Sequence, residues 1–269
     1  MTYLTVPIAG ETPERSQRQI IRAIKAGAEM LELRCDYLQN LNPALVKKLI
    51  AVVRTACTLP IITTCRDYRQ GGANDYPVNM RIDVLTAALA AGVDFVDFEY
   101  ENFIVPENRQ RLQLALAENP RSRLILSAHN FGTKFDNISN LHRQIRSSYP
   151  QAVPKLVYTA EHINDCFEVF DLLHKTEGDV IAFCMGQAGM VSRIIAKKLG
   201  CFVTFAGLDK ETTTAPGQLT IDEFKSLYRY DKINSATKTY GIIGSPVAHS
   251  LSPVVHNACF DDLTLNKLY

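Results

Sequence analysis

Along residues 1–228, short apolar runs alternate with longer stretches in which apolar side chains return every three or four positions. These are the two periods that separate strands from amphipathic helices. Strands are expected at 3–8, 30–36, 60–66, 94–99, 123–129, 153–159, 180–185 and 201–205, and helices at 13–26, 43–54, 79–91, 107–118, 138–147, 163–174, 190–199 and 221–228. The result is βα units of roughly 28 residues each, close to the ~250-residue total of a closed (β/α)₈ barrel. An open doubly wound sheet is disfavoured, because no GxGxxG follows the first strand and the regular units suit closure.

Period-two alternation then sorts each strand into two faces. Glu32, Arg34 and Asp36 share one face of the second strand, opposite Leu31, Leu33 and Cys35. Asp97 and Glu99 share a face of the fourth, Ser127 and His129 of the fifth, and Lys155 and Thr159 of the sixth. Apolar faces pack on the helices, so the polar faces must point into the barrel. Ionisable groups in a water-poor interior cost several kcal/mol each unless paired, so this concentration of them implies an active site.

The pattern changes at Lys238. Residues 229–237 are polar and read as a linker, and 238–269 look like a new strand, a turn and a short helix. Thirty-odd residues cannot bury a core of their own. The tail's apolar residues, Ile242, Ile243, Val254, Val255 and Phe260, must dock on the barrel, pair with another copy to give a homodimer, or remain partly disordered.

Composition narrows the partners. Lys+Arg number 29 against 28 Asp+Glu, for a net charge of +1, which gives no electrostatic footprint for nucleic acid or an anionic membrane. No stretch is long and apolar enough to span a bilayer, and no basic n-region precedes an apolar core at the N-terminus. The 7 cysteines are odd in number and scattered without CxxC or zinc spacing, which fits a reduced, cytoplasmic compartment and no metal site. The expected partner is a small molecule.

Lys155 lies early in its strand, so its amine points into the barrel. Desolvation and a nearby cation such as Arg66 would leave it neutral, able to attack a ketone and form a Schiff base; the alternative is a lysine salt-bridged to Glu32, Asp97 or Glu99. His129 ends its strand where barrels present their chemistry, and suits a general acid/base; a hydrogen-bonded structural histidine is the competing reading. His142, His162 and His174 read as surface residues. Arg34, Arg66 and Arg193 place guanidinium groups at one rim, where a carboxylate is the natural ligand. Arg193 is the best candidate, because Gly186-Gln187-Ala188-Gly189 precedes it at the start of a helix pattern whose N–H groups favour anions. Thr214 to Gln218 forms a turn offering a hydroxyl and an amide, and Gly71-Gly72 reads as a mobile loop hinge.

In combination, Glu-Leu-Arg-Cys-Asp at 32–36, Thr-Cys-Arg at 64–66, Ser-Ala-His at 127–129, Pro-Lys at 154–155, Gly-Met-Val-Ser-Arg at 189–193 and Ala-Pro-Gly-Gln at 215–218 resemble the type I 3-dehydroquinate dehydratases from about Tyr3 to Tyr228. The tail resembles the N-terminus of shikimate dehydrogenase, an arrangement found in bifunctional chains. The resemblance implies an α/β (β/α)₈ TIM barrel over 1–228, a linker over 229–237 and the truncated start of a second domain over 238–269. It implies that Lys155 forms an imine with the ketone of 3-dehydroquinate and that His129 moves the C2 proton and assists loss of the C1 hydroxyl. Arg193, Thr214 and Gln218 would hold the carboxylate, and Glu32, Arg34 and Arg66 the hydroxyls. No cofactor or metal is required, since the imine is the electron sink. In the tail, Ser250 and Ser252 match hydroxyls that bind a carboxylate, although no dehydrogenase activity is expected of this stretch.

Two positions depart from that pattern. Gln70 stands where the family usually has glutamate before Gly-Gly, an amide that can orient His129 without lending it charge. Thr214 replaces a serine and keeps the hydroxyl. The competing readings are another Schiff-base barrel of the class I aldolase type, and a catalytically silent metabolite-binding barrel.

Overall fold

The computed structural model describes residues 1–269 apart from Thr212, Thr213, Pro216, Ser245 and Ala248. The proline of the 215–218 turn and two residues of the tail motif are therefore outside the described residues. Parallel strands β1 (Tyr3–Ile8), β2 (Met30–Arg34), β3 (Ile61–Thr64), β4 (Phe95–Glu99), β5 (Arg123–Asn130), β6 (Val153–Thr159), β7 (Ile181–Met185) and β8 (Val203–Phe205) lie in the order 7-6-5-4-3-2-1-8. Sequential neighbours therefore pair, and β8 returns to β1 with Tyr3 opposite Val203. The seam between β7 and β8 is held by Phe202 N–H donating to the Val180 carbonyl at 2.8 Å and by the Phe183 and Phe205 rings, 5.7 Å between centroids. The eight strands thus form a nearly closed barrel.

Around it run α1 (Pro13–Lys25), α2 (Pro43–Ala56), α3 (Val78–Ala90), α4 (Tyr100–Phe103), α5 (Pro106–Glu118), α6 (Ile138–Ser148), α7 (Cys166–Lys175) and α8 (Met190–Ile194). Their starts are written locally. Thr12 and Asn42 cap α1 and α2 by accepting the N–H of Arg15 and Leu45, each followed by proline in the first turn; such caps contribute about 1 kcal/mol. Outward strand residues such as Leu31, Leu33, Leu126 and Leu156 join the helices' apolar faces in one core.

Several boundaries differ from the sequence pattern. β2 ends at Arg34, and Asp36 sits in a 3₁₀ turn, because its carboxylate turns back to accept two hydrogen bonds from the Arg34 guanidinium at 2.9 and 2.7 Å. α4 carries no apolar period and was not legible. The helix expected over 190–199 ends at Ile194 and continues as turns. It has five residues, too few to offer an N-terminal anion site, so whatever anion binding occurs there rests on the Arg193 side chain. His142 is half-buried, and its Nε2 has no hydrogen-bond partner.

Residues 229–237, polar in pattern, are not loose. Tyr230 is buried edge-on against Phe224 and donates its hydroxyl to the Thr2 carbonyl, while Ile233 and Thr237 are also buried. Beyond them come β9 (Lys238–Thr239), α9 (Ser252–Asp262) and β10 (Lys267–Leu268), with β9 and β10 paired in parallel. The tail docks on the barrel: Leu268 packs with Ile194, Tyr228 and Ile233, and Asp261 pairs with Arg229 and Lys232. Among the described residues, no helix is long and apolar enough to cross a membrane.

Candidate active site

Glu32, Arg34, Arg66, His129, Lys155, Arg193, Thr214 and Gln218 all line one cavity at the C-terminal ends of the strands, with about 460 Å³ of empty space. That is where a parallel barrel's loops converge and where such folds place their small-molecule sites. Every residue assigned to the barrel site from sequence is therefore brought together. Ser250 and Ser252 are not: Ser250 accepts the Ser252 N–H at 3.2 Å and lines a separate cavity between tail and barrel.

Lys155, 4% exposed, rises from the third position of β6. Its Nζ lies 2.8 Å from Asp97 Oδ2 and 3.7 Å from Glu32 Oε1, and 4.6 Å from the centre of the Phe205 ring. The cation expected to unload its proton, Arg66, instead approaches the same Asp97 oxygen, at 2.7 Å. Asp97 also accepts from Ser127 Oγ at 2.6 Å. Burial alone would raise the Asp97 carboxyl, but Arg66 and then Lys155 overcome it and hold it well below the usual carboxylate range. Because one oxygen serves two cations, its hold on the lysine is divided.

A second layer of charge fixes Arg66. Its guanidinium also donates to Glu99 at 2.7 Å, Glu99 accepts from Arg81 at 2.5 Å, and Arg81 reaches Asp67 at 2.7 Å. Arg81 is on α3, an element read only as amphipathic, and nothing in its spacing marks it as part of the site. Arg34 is likewise spent on Asp36 and lies 5.0 Å from the Tyr37 ring centre.

His129 presents its ring to the cavity from β5. Burial, then Arg66 and Lys155, push its pKa well below the usual histidine value, so it is neutral near pH 7. Gln70 Oε1 accepts its backbone N–H at 3.0 Å and lies 3.3 Å from Nδ1. The loop holding Gln70 lies close against its neighbours at both glycines. Gly71 takes φ +86°, and a Cβ there would come within 2.3 Å of the Phe131 ring; a Cβ on Gly72 would meet the Arg66 carbonyl at 2.3 Å. These glycines are needed for close approach.

Arg193 is the odd group. It is 1% exposed, its Nε donates to the Cys184 carbonyl at 3.2 Å and its plane lies 4.4 Å from the Phe183 ring centre. Among the described residues no carboxylate faces it, and one terminal nitrogen has no hydrogen-bond partner. Burial pulls its pKa down to about 10. A buried guanidinium without a counter-ion is costly, and its natural complement is an anionic ligand. Beside it in the cavity, Thr214 N–H donates to Gln218 Oε1 at 2.8 Å, with the Thr214 hydroxyl 3.3 Å from the same oxygen. Sequence parity missed the apolar walls, Phe183, Met185 and Phe205, because β7 is apolar on both faces and the polar residue of β8, Thr204, is on the face opposite Phe205 and turned to the Arg193 carbonyl.

A parallel barrel whose strand ends gather an amine, an imidazole and an uncompensated guanidinium has the layout of a barrel enzyme for small anionic substrates. A family model described as type I 3-dehydroquinase matches residues 4–235, and the chain belongs to that family. It is 31% identical over 271 residues to a bifunctional 3-dehydroquinate dehydratase/shikimate dehydrogenase of Arabidopsis thaliana, an alignment covering 100% of this chain and 43% of that protein. It is 31% identical over 207 residues to a 3-dehydroquinate dehydratase of Desulfotalea psychrophila, covering 75% of this chain and 87% of that one. The fold matches the crystal structure of 3-dehydroquinate dehydratase from Geobacillus kaustophilus with TM-score 0.74 and 22% identity, over 83% of this chain and 88% of that chain. The chain thus spans less than half the length of the bifunctional relative.

Proposed function

We propose that this chain dehydrates 3-dehydroquinate to 3-dehydroshikimate through an imine on Lys155. The observation that carries the reading is the Arg193 guanidinium, which faces no carboxylate among the described residues, sharing one cavity with the buried Lys155 amine. The substrate carboxylate neutralises Arg193, with Thr214 and Gln218 beside it. Glu32, Arg34 and Arg66 face the ring hydroxyls. Deprotonated Lys155 adds to the ketone carbon, and loss of water gives the protonated imine. That cation acidifies the neighbouring C2–H bond. His129 Nε2 takes the C2 proton, the electron pair moves into the imine, and its return expels the C1 hydroxyl, which leaves as water on receiving the proton from His129. Water then hydrolyses the imine, releasing 3-dehydroshikimate and the amine.

The proposal extends to the organisation of the chain. Residues 1–228 are the dehydratase barrel, 229–237 the connection, and 238–269 the start of a shikimate dehydrogenase domain in which Ser250 and Ser252 serve a second carboxylate. An alignment that covers 100% of this chain and 43% of the bifunctional relative supports this. A cytoplasmic setting is supported by 7 cysteines without a disulfide.

Borohydride added with 3-dehydroquinate should inactivate the protein and place the reduced substrate mass on Lys155, while turnover raises the ultraviolet absorbance of a conjugated enone. An adduct elsewhere sinks the assignment of Lys155; carbon–carbon cleavage without enone points to an aldolase; carboxylate binding with no adduct points to a silent barrel.

A further inference from the structure

A row of buried charges alternates in sign from helix α3 to the Lys155 amine. Asp67 Oδ2 pairs with Arg81 Nη2 at 2.7 Å, Arg81 Nη1 with Glu99 Oε2 at 2.5 Å, and Glu99 Oε1 with Arg66 Nη1 at 2.7 Å. Arg66 Nη2 meets Asp97 Oδ2 at 2.7 Å, and the same oxygen meets Lys155 Nζ at 2.8 Å. Every member is at most 5% exposed. At the outer end the exposed Arg69 also reaches Asp67, at 3.0 Å. Each carboxylate of the row divides its field between cations, and water does not screen the division. What sits on one oxygen therefore decides how strongly the other is felt.

Arg81 does not line the cavity. It reaches in from α3 with its guanidinium 5.8 Å from the Phe98 ring centre, and its Nε has no hydrogen-bond partner among the described residues. We propose that Arg81 is a positioning residue for Lys155: by holding the outer oxygen of Glu99 it leaves Arg66 on Asp97, so that Asp97 does not face the amine alone. Without the Arg81 charge, Glu99 draws Arg66 toward itself, Asp97 turns over to Lys155, and the row carries one uncompensated negative charge. Both changes favour the protonated amine, which cannot add to a ketone. The other charged or titratable groups facing Lys155 are Glu32 and Arg34 from β2, His129 from β5 and Arg193 from α8, while β7 and β8 present apolar side chains. The carboxylates that Arg81 pairs with are Glu99 and Asp67, so its substitution leaves those groups in place. Near Arg81, burial raises the Cys65 thiol well above its ordinary value, so it adds no charge. The effect on turnover rests on the dehydratase reading, whereas the state of the amine does not.

Cyanate reads the amine without turnover, since it carbamylates a lysine through the neutral Nζ. Mass spectrometry of substrate-free protein follows carbamylation of Lys155 against pH, relative to the exposed Lys48. Arg81→Gln should raise the midpoint of that profile by about 0.5–1 pH unit and move the acid limb of kcat/KM up with it. Arg81→Lys, which restores the charge, should reverse most of the shift. Asp67→Asn gives Arg81 wholly to Glu99 and should move the midpoint down. A fall in turnover at every pH with an unmoved midpoint would make Arg81 structural and overturn the proposal, as would a shift that Arg81→Lys leaves in place. Should Arg81→Gln fail to fold, Asp67→Asn decides, and a midpoint unchanged or raised there overturns the proposal. If the wild type fails to turn over 3-dehydroquinate, the proposed function falls and the carbamylation profile still decides the role of Arg81.

Discussion

The barrel and the tail are made from similar residues, yet one closes its apolar surface and the other does not. Every residue of β2, β4 and β7 is buried, whereas Ile242, Ile243, Leu251, Val254 and Val255 are each more than half exposed. Apolar content is therefore no guide to burial. What differs is whether a second face stands opposite: each of β1 to β6 is paired with a strand on both edges, while α9 and the turn before it have the barrel on one side only. Exposed apolar side chains concentrated in one segment are what an association surface requires. The tail still grips the barrel at Leu268, which packs on Ile194 at the end of the same short helix that carries Arg193.

If the barrel alone carries the chemistry, substitutions inside it should dominate. His129→Ala should slow dehydration by about 10²–10⁴-fold, the range of a positioned acid/base, with the imine accumulating on the enzyme. Near-normal turnover would remove His129 from the reaction.

Arg193→Met should separate function from stability. It removes the partner of a desolvated carboxylate, so kcat/KM should fall about 30- to 5000-fold, equivalent to about 2–5 kcal/mol. It also removes a buried cation without counter-ion, so the urea midpoint of the free protein should rise. A fall in both would mean that Arg193 is structural.

Truncation after Thr237 is the direct test of the comparison. The barrel should keep its turnover within about 2-fold and lose about 1.5–3 kcal/mol of stability, the contribution of burying one leucine-sized side chain, while self-association diminishes. Sedimentation and urea titration of the two proteins check this. Loss of dehydratase activity would make the tail part of the catalytic unit through Ile194.

The smallest effect is a pH dependence confined to the barrel. His129 has a folded pKa below its unfolded value. Above both values the group is neutral in both states and contributes nothing. As pH falls below the unfolded value the unfolded chain takes up the proton first, so the folded state loses stability progressively as the pH falls. His129→Asn should remove that part of the acid sensitivity. Equal losses between pH 7.5 and pH 5 in the two proteins would show that the ring is protonated as easily folded as unfolded.

Much of this was legible along the chain, because barrel strands impose a strict period of two and helices a period near 3.6. That pattern placed the strands within a few residues, and the polar parity of β2, β4, β5 and β6 put Glu32, Lys155 and His129 on the inner face. It was silent for β7, where both faces are apolar, misleading for β8, whose polar Thr204 faces away from the cavity that Phe205 lines, and silent for α4 and Arg81, whose importance lies in what they touch.

What the sequence determined was membership and inventory: the order of elements, the residue types able to form an imine, move a proton and bind an anion, and the change of pattern at Lys238. What only the tertiary structure decided was pairing. Five arginines and lysines reach the barrel interior, and composition treats them alike; their distances to Asp36, Asp97, Glu99 and Asp67 leave Arg193 as the cation without a carboxylate among the described residues. The same is true of Gln70, whose neighbour in space is 59 positions away in the chain. Periodicity is a local property of the backbone and can be read in order, but charge balance is a sum over distances, which only the closed barrel fixes.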